Sequence, residues 1–379
     1  MIKKTFPIIA LSMFVAMLGM GIVAPILPLY AEDLGASGIW IGIIFSGFAV
    51  SATIVTPIAG RLSDRRGRKL FLFIGLLSTS IVSLGYIWAD SALQLTLVRL
   101  IHGAVSSIIM PVAQAYVGDI SPEKEEGKWM GYLNAAFFTG LGTGPFIGGV
   151  LSDHLGMSAA FFAMGSLNLL AFLIVASLLP EIKPKKMASH TYASYKAVST
   201  SSMVRGLFSF RLFLSIGMAS FVAFLPIFAA ASIGLSKTLI GVLVAVNILV
   251  MSLVGLYGGI IADRLNRRAL VIVGSLINLT YLALIPQASS FWQLLGICAL
   301  GGLGGAIAMP AASALAVEEG RKFGMGSIMA IFVMAFSIGF FAGPLLSGVI
   351  VDYISINSVF YFGSLAGLIG TGLFIWFAR

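Results

Sequence analysis

Eleven stretches of this chain run for at least 19 residues without an aspartate, glutamate, lysine or arginine: 5–31, 34–60, 70–89, 100–118, 129–152, 154–180, 212–236, 238–262, 269–317, 323–351 and 353–378. A helix needs about 20 apolar residues to cross a bilayer. The run 269–317 is too long for one crossing, and Pro286-Gln287-Ala288-Ser289-Ser290 inside it reads as a turn. Splitting there predicts twelve transmembrane helices. A soluble fold is excluded on composition: only 10% of residues are charged and 59% are hydrophobic, against roughly 25% charged in soluble domains. Disorder needs the opposite balance. A transmembrane barrel would show alternating segments of roughly ten residues. The first run is longer than the roughly 7–15 apolar residues of a secretory leader, so it reads as a retained helix.

Charge predicts orientation. With both termini in the cytoplasm, 21 of the 23 lysines and arginines fall on that side, in short loops that include 61–69, 181–211 and 264–268. Lys237 falls outside and Arg99 lies within a span. This is a strong positive-inside pattern, and it accounts for the net charge of +9 without a nucleic-acid partner. One cysteine and three scattered histidines give no disulfide framework and no metal cluster. No phosphate-binding loop or cofactor motif is present, so no cofactor is expected and an enzyme reading is weak.

The longest polar stretch, 181–205, divides the chain into a six-helix bundle over 1–180 and another over 206–379. The halves match at a shift of 199 residues. Gly42 meets Gly241, Gly60 meets Gly259, Asp64-Arg65 meets Asp263-Arg264 and Arg68 meets Arg267. Met110-Pro111 meets Met309-Pro310, Gly144-Pro145 meets Gly343-Pro344, and Asp153 meets Asp352. Six helices per half, with the same polarity, make parallel repeats; such transporters bind substrate near the midplane where the repeats meet, and rock one half against the other.

The segment Gly60-Arg61-Leu62-Ser63-Asp64-Arg65-Arg66-Gly67-Arg68-Lys69 resembles the major facilitator superfamily, whose pattern here is G-x-x-x-D-R-x-G-R-[RK]. The resemblance implies that Gly60, Asp64, Arg65, Gly67 and Arg68 form a cytoplasmic latch, with Arg68 facing an acid at the end of helix four, where Asp119 stands. Gly60 is the residue expected to admit a close helix approach. Helix five carries Gly131, Gly140, Gly144-Pro145 and Gly148-Gly149, the spacing G-x8-G-x3-G-P-x2-G-G of the antiporter motif. This is similar to the twelve-span drug:proton antiporters over the whole chain. It implies an exporter of small amphipathic compounds in exchange for protons, integral to the cytoplasmic membrane and monomeric. A sugar or metabolite exporter of the same fold and a non-transporting membrane receptor stay open.

Helix four reads Arg99-Leu100-Ile101-His102-Gly103, where the family has R-x-x-Q-G. A charge near the bilayer centre costs roughly 2.5–3.5 kcal/mol on insertion scales, so Arg99 must face polar groups or a cavity. Arg99, His102, Ser106, Met110 and Ala113 fall on one stripe, which reads either as a substrate pathway or as a helix-to-helix tie. The charge of Arg99 and burial both oppose a charged His102, so His102 is expected to stay neutral and not to be the main proton carrier. Met13, Met17 and Met20, and Phe332, Phe336 and Phe340, recur at helical spacing and suit either an adaptable apolar pocket or ordinary packing. Asn134, Asn168, Asn247 and Gln114 are uncharged polar groups within spans, for substrate or for interhelical bonds. All 14 acids lie in loops or at helix ends. With no carboxylate deep in the membrane, the route of proton coupling stays open and selectivity for organic cations is disfavoured.

Overall fold

Helices make up all the regular structure among the described residues, and most begin or end where the sequence supplies a cap or a breaker. The computed structural model describes residues 2–122, 125–182 and 201–378. The helices are α1 (Ile2–Val23), α2 (Ile26–Asp33), α3 (Gly38–Arg66), α4 (Arg68–Trp88), α5 (Ala92–Ser106), α6 (Ile109–Ile120) and α7 (Glu126–Leu155). They continue as α8 (Met157–Leu178), α9 (Ser202–Ile233), α10 (Lys237–Arg264), α11 (Arg267–Leu284), α12 (Phe291–Phe323), α13 (Met325–Tyr353) and α14 (Ile356–Phe377). Taking α1 with α2, and α5 with α6, twelve segments are long and apolar enough to cross a membrane.

Proline explains both interrupted spans. Pro25 has no N–H to offer Gly21, whose carbonyl instead accepts from Ala24 at 3.2 Å. Pro111 likewise cannot bond back to Ser107, and α5 ends at Ser106. The stripe that includes Arg99, His102 and Met110 is therefore not one continuous helical face. Between α11 and α12 the chain makes a single 3-10 turn, Ile285–Gln287.

The seventh span departs from the sequence reading. Ser201 accepts from the Val204 amide at 3.4 Å, and α9 takes in residues 202–205, read above as linker. Arg211, assigned above to a cytoplasmic loop, is the tenth residue of α9. Cutting the chain at every charge had shortened this helix. Residues 183–200 of the expected linker lie outside the described residues.

The chain divides into two compact units: Met1–Ala36, Ile43–Lys186 and Leu235–Ala245; and Ser37–Gly42, Met187–Gly234 and Val246–Arg379. In the first, α1 packs on α7 and α8, and α4 on α8. Its core gathers Ile9, Met13, Met17, Leu76, Val112 and Tyr116. In the second, α9 packs on α13 and α14, and α11 on α12. Its core uses smaller side chains, Ala308, Ala311, Ala312 and Ala316, closed by Phe210 and Phe374.

Each unit includes the first turns of a helix that continues in the other, and an aspartate caps each of them. Asp153, near the end of α7, accepts from the amides of Lys237 (3.1 Å) and Thr238 (2.8 Å) and from the Thr238 hydroxyl (2.6 Å). Asp352, near the end of α13, accepts from the amides of Gly38 (2.7 Å) and Ile39 (2.9 Å). A carboxylate there satisfies orphan N–H groups and complements the helix dipole.

Candidate functional site

The membrane-embedded chemistry of the first unit centres on Arg99. Gly103 makes this possible: a Cβ there would collide with the Phe48 carbonyl and the Ser51 hydroxyl, so α5 can approach α3 only with glycine at this point. That approach lays the Arg99 guanidinium over two rings of α3, 4.5 Å from the centre of Phe48 and 5.3 Å from that of Phe45. Nη1 of Arg99 reaches Tyr86 Oη of α4 at 3.5 Å and His102 Nδ1 at 3.4 Å. Tyr86 Oη and His102 Nδ1 lie 2.8 Å apart. The consistent direction runs from arginine N–H to tyrosine oxygen, and from tyrosine O–H to imidazole nitrogen. Nδ1 is then an acceptor, which a neutral ring provides and an imidazolium does not. Tyr86 also stacks on Phe161 at 5.1 Å.

The other residues singled out on this side divide clearly. His102 is 1% exposed and Met17 4%, so both meet protein on nearly every side. Ser106 donates to the His102 carbonyl at 2.7 Å. Met110 packs against the core, partly buried. Asn134 is half-buried on α7. Asn168 donates to the Met164 carbonyl at 2.9 Å, within its own helix. In the second unit Asn247 donates to the Cys298 carbonyl at 3.0 Å, tying α10 to α12.

The loop motif closes on Arg68, which is 5% exposed. Its guanidinium pairs with Asp64, meets Asp119 Oδ2 at 3.1 Å and donates to Ser63 Oγ at 2.8 Å. Gly67 makes the turn with φ at +101°, over the Glu181 carboxylate. Arg65 is exposed at the end of α3. Gly60 corrects the sequence reading: among the described residues an added Cβ would meet nothing within 4 Å, so no helix approach among them depends on it. The second half repeats the pairing, Arg267 with Glu318, at the same shift of 199. There Asn266 caps α11, accepting from the amides of Arg268 (3.0 Å) and Ala269 (3.2 Å).

The helix-five glycines are contact points. Added Cβ atoms at Gly140, Gly144 and Gly148 would run into backbone of Phe14, Leu18 and Ile22 on α1, and one at Gly149 into Lys237. Pro145 presents its carbonyl to Gly241. A Cβ at Gly131 would meet nothing within 4 Å among the described residues.

A second embedded arginine emerges only from the structure. Arg211 lies between rings of α13, 4.5 Å from the centre of Phe336 and 5.1 Å from that of Phe332. Its Nη1 is 2.8 Å from Met309 Sδ, and its Nε is buried with no hydrogen-bond partner among the described residues. The clue in the sequence is that apolar residues flank it on both sides, Leu207, Phe208, Phe210, Leu212 and Phe213.

This arrangement, two six-helix halves with matching loop motifs, agrees with a family model, the Major Facilitator Superfamily, which matches residues 9–228 and 207–379. The chain belongs to the Major Facilitator Superfamily. As a member it is an integral membrane protein, with twelve segments long and apolar enough to cross a membrane. It is 29% identical over 381 residues to multidrug resistance protein 1 of Bacillus subtilis, covering 98% of this chain and 95% of the relative. It is 27% identical over 377 residues to the quinolone resistance protein NorA of Staphylococcus aureus, covering 97% and 95%. The crystal structure of the nucleoside transporter NupG shares the facilitator fold, with a TM-score of 0.84, 14% identity, and coverage of 99% of both chains.

Proposed function

We propose that this facilitator is a secondary active exporter of small amphipathic compounds, driven by exchange for protons. The observation that carries this reading is its near full-length similarity to two drug-resistance proteins. The intact helix-five motif supports it: four of its glycines are used as contact points. The protein works as a monomer in the cytoplasmic membrane with both termini inside, as the placement of its basic loops favours.

In this reading the two six-helix halves rock about a substrate held among them. Asp64, Arg68 and Asp119 serve as the cytoplasmic latch when the pathway faces outward. Arg99 keeps a fixed positive charge in the first half, braced by Tyr86, Phe45 and Phe48. His102 orients Tyr86 as a neutral acceptor and is not the main proton carrier. The test is efflux of an amphipathic dye from proteoliposomes with an imposed pH gradient. Efflux that stops when the gradient is collapsed is expected. Efflux indifferent to the gradient, together with unchanged drug tolerance on overexpression, would overturn the reading.

A further inference from the structure

Arg211 poses an energetic problem that its surroundings do not solve. It sits about 14 Å along α9 from the first residue of that helix, at 1.5 Å per residue. Among the described residues it forms no ion pair. One of its nitrogens faces a thioether, a weak acceptor, and its Nε is buried with no hydrogen-bond partner among the described residues. Two aromatic faces attract a cation through their ring quadrupoles, but a charge taken out of water is costly unless it is paired and hydrogen-bonded. Snorkelling to an acid at a helix end would relieve this, but the guanidinium is held against Phe336 instead.

Backbone geometry fixes that placement. Cβ atoms at Gly339 and Gly343 would clash with the carbonyls of Leu212 and Ile216, so α9 and α13 meet at near-backbone contact beside Arg211. Phe336, one turn before Gly339, is thereby pressed onto the guanidinium. The repeat sharpens the point. The first half uses Gly140 and Gly144 for the same contact between α7 and α1, but the counterpart of Arg211 is Ser12, which bonds within its own helix at 2.8 Å. The scaffold does not need an arginine there.

We infer that Arg211, with Phe332 and Phe336, is a binding site for the carboxylate or sulfonate of an aromatic organic anion, and that the exporter's substrates include such anions. A planar anion would pair with the buried, unpartnered Nε and the neighbouring Nη as a bidentate pair, its ring beside Phe332 and Phe336. This rests on the exporter reading and names its substrate class.

The experiment measures equilibrium binding of 1-naphthoate and of 1-naphthylmethylamine, which share a ring system and differ in charge, to the purified full-length protein in phosphatidylcholine nanodiscs. Naphthoate is expected to bind and the amine at least tenfold more weakly. Arg211→Gln should weaken naphthoate roughly tenfold or more, and Arg211→Lys should retain part of the affinity, which guards against a variant that simply misfolds. Phe336→Leu, which keeps the charge, should weaken naphthoate but not acetate competition. Equal binding of acid and amine, or unchanged naphthoate affinity in a monodisperse Arg211→Gln protein, would overturn the assignment. Loss of naphthoate binding when phosphatidylglycerol is added to the discs would assign the site to a lipid headgroup and overturn it equally. Binding needs no transport, so gradient-driven dye efflux without naphthoate binding sinks this inference alone. Arg211-dependent binding without any efflux sinks the exporter reading instead.

Discussion

Replacing Arg99 by methionine separates a structural role from a functional one. The substitution keeps a long apolar side chain over Phe48 and removes the charge. The interactions lost are weak by geometry: two contacts at 3.4 and 3.5 Å, at the long limit for hydrogen bonds, and cation–π attraction of up to about 2 kcal/mol. Against these stands the relief of a desolvation penalty of several kcal/mol. Tyr86 and His102 keep their 2.8 Å bond to each other. The net effect on stability is therefore within about 2 kcal/mol in either direction, a shift of only a few degrees at roughly 2–4 °C per kcal/mol in proteins of moderate size. Transport should nonetheless fall to background. Arg99→Lys keeps the charge and loses the planar fork, so its rate reports whether charge alone suffices. The assay pairs a melting curve of the detergent-purified protein with dye efflux from proteoliposomes. Wild-type efflux in Arg99→Met would refute the functional role. A fall in melting temperature of more than about 10 °C would show that the arginine is mainly a tie between helices.

Three further substitutions follow from the geometry. His102→Gln should preserve gradient-driven efflux, because an amide oxygen can accept from Tyr86, whereas His102→Leu strands two donors at a cost of about 1–3 kcal/mol; loss of proton-coupled flux in His102→Gln alone would make histidine the carrier. Gly148→Val should lower expression and melting temperature sharply, since any Cβ there strikes the Ile22 carbonyl, while Gly131→Ala should be neutral in both measurements. Asp153→Asn and Asp352→Asn should each reduce thermal stability by about 0.3–1 kcal/mol, and the double variant by about the sum; a neutral double variant would show that these caps hold nothing.

How far the fold could be read from sequence depended on what charge was taken to mean. Counting uncharged runs found twelve spans because lysine, arginine and the acids cluster in loops. The same rule placed Arg211 in a loop, since it treats any charge as a boundary, and so hid a residue of α9. The interruptions at Ala24–Pro25 and at Ser107 were not legible, since Pro310, the counterpart of Pro111, lies inside a continuous helix. Side-chain neighbours were less legible. Nothing in the spacing tells that Tyr86, 16 positions before His102, completes its hydrogen bond, or that Gly60 touches none of the described residues while Gly67 carries the positive φ. Met17 shares its helical spacing with pocket residues and with core residues alike, and packing alone places it in the core.

Comparing the halves residue by residue sorts the remaining features. Ser91 and Ser290 cap their helices, with Gln94 and Gln293 reaching back to the amides of Asp90 (3.0 Å) and Ser289 (2.9 Å). Arg68 with Asp119 matches Arg267 with Glu318, Asp153 matches Asp352, and Gly140 with Gly144 matches Gly339 with Gly343. All of these recur at the shift of 199, and all satisfy backbone groups, pair loop charges or let helices touch. They are what any six-helix half needs. The counterpart of Arg99 at the shift of 199 is Cys298, and that of Arg211 is Ser12, so the two embedded cations break the symmetry in opposite halves. Duplication can preserve a scaffold without selecting each copy for chemistry. A charge kept in one copy, at several kcal/mol of desolvation, needs a reason that the scaffold does not supply. On the proposed function that reason is an interaction made during transport, and two unshared cations with no embedded carboxylate among the described residues favour an interaction with negative charge.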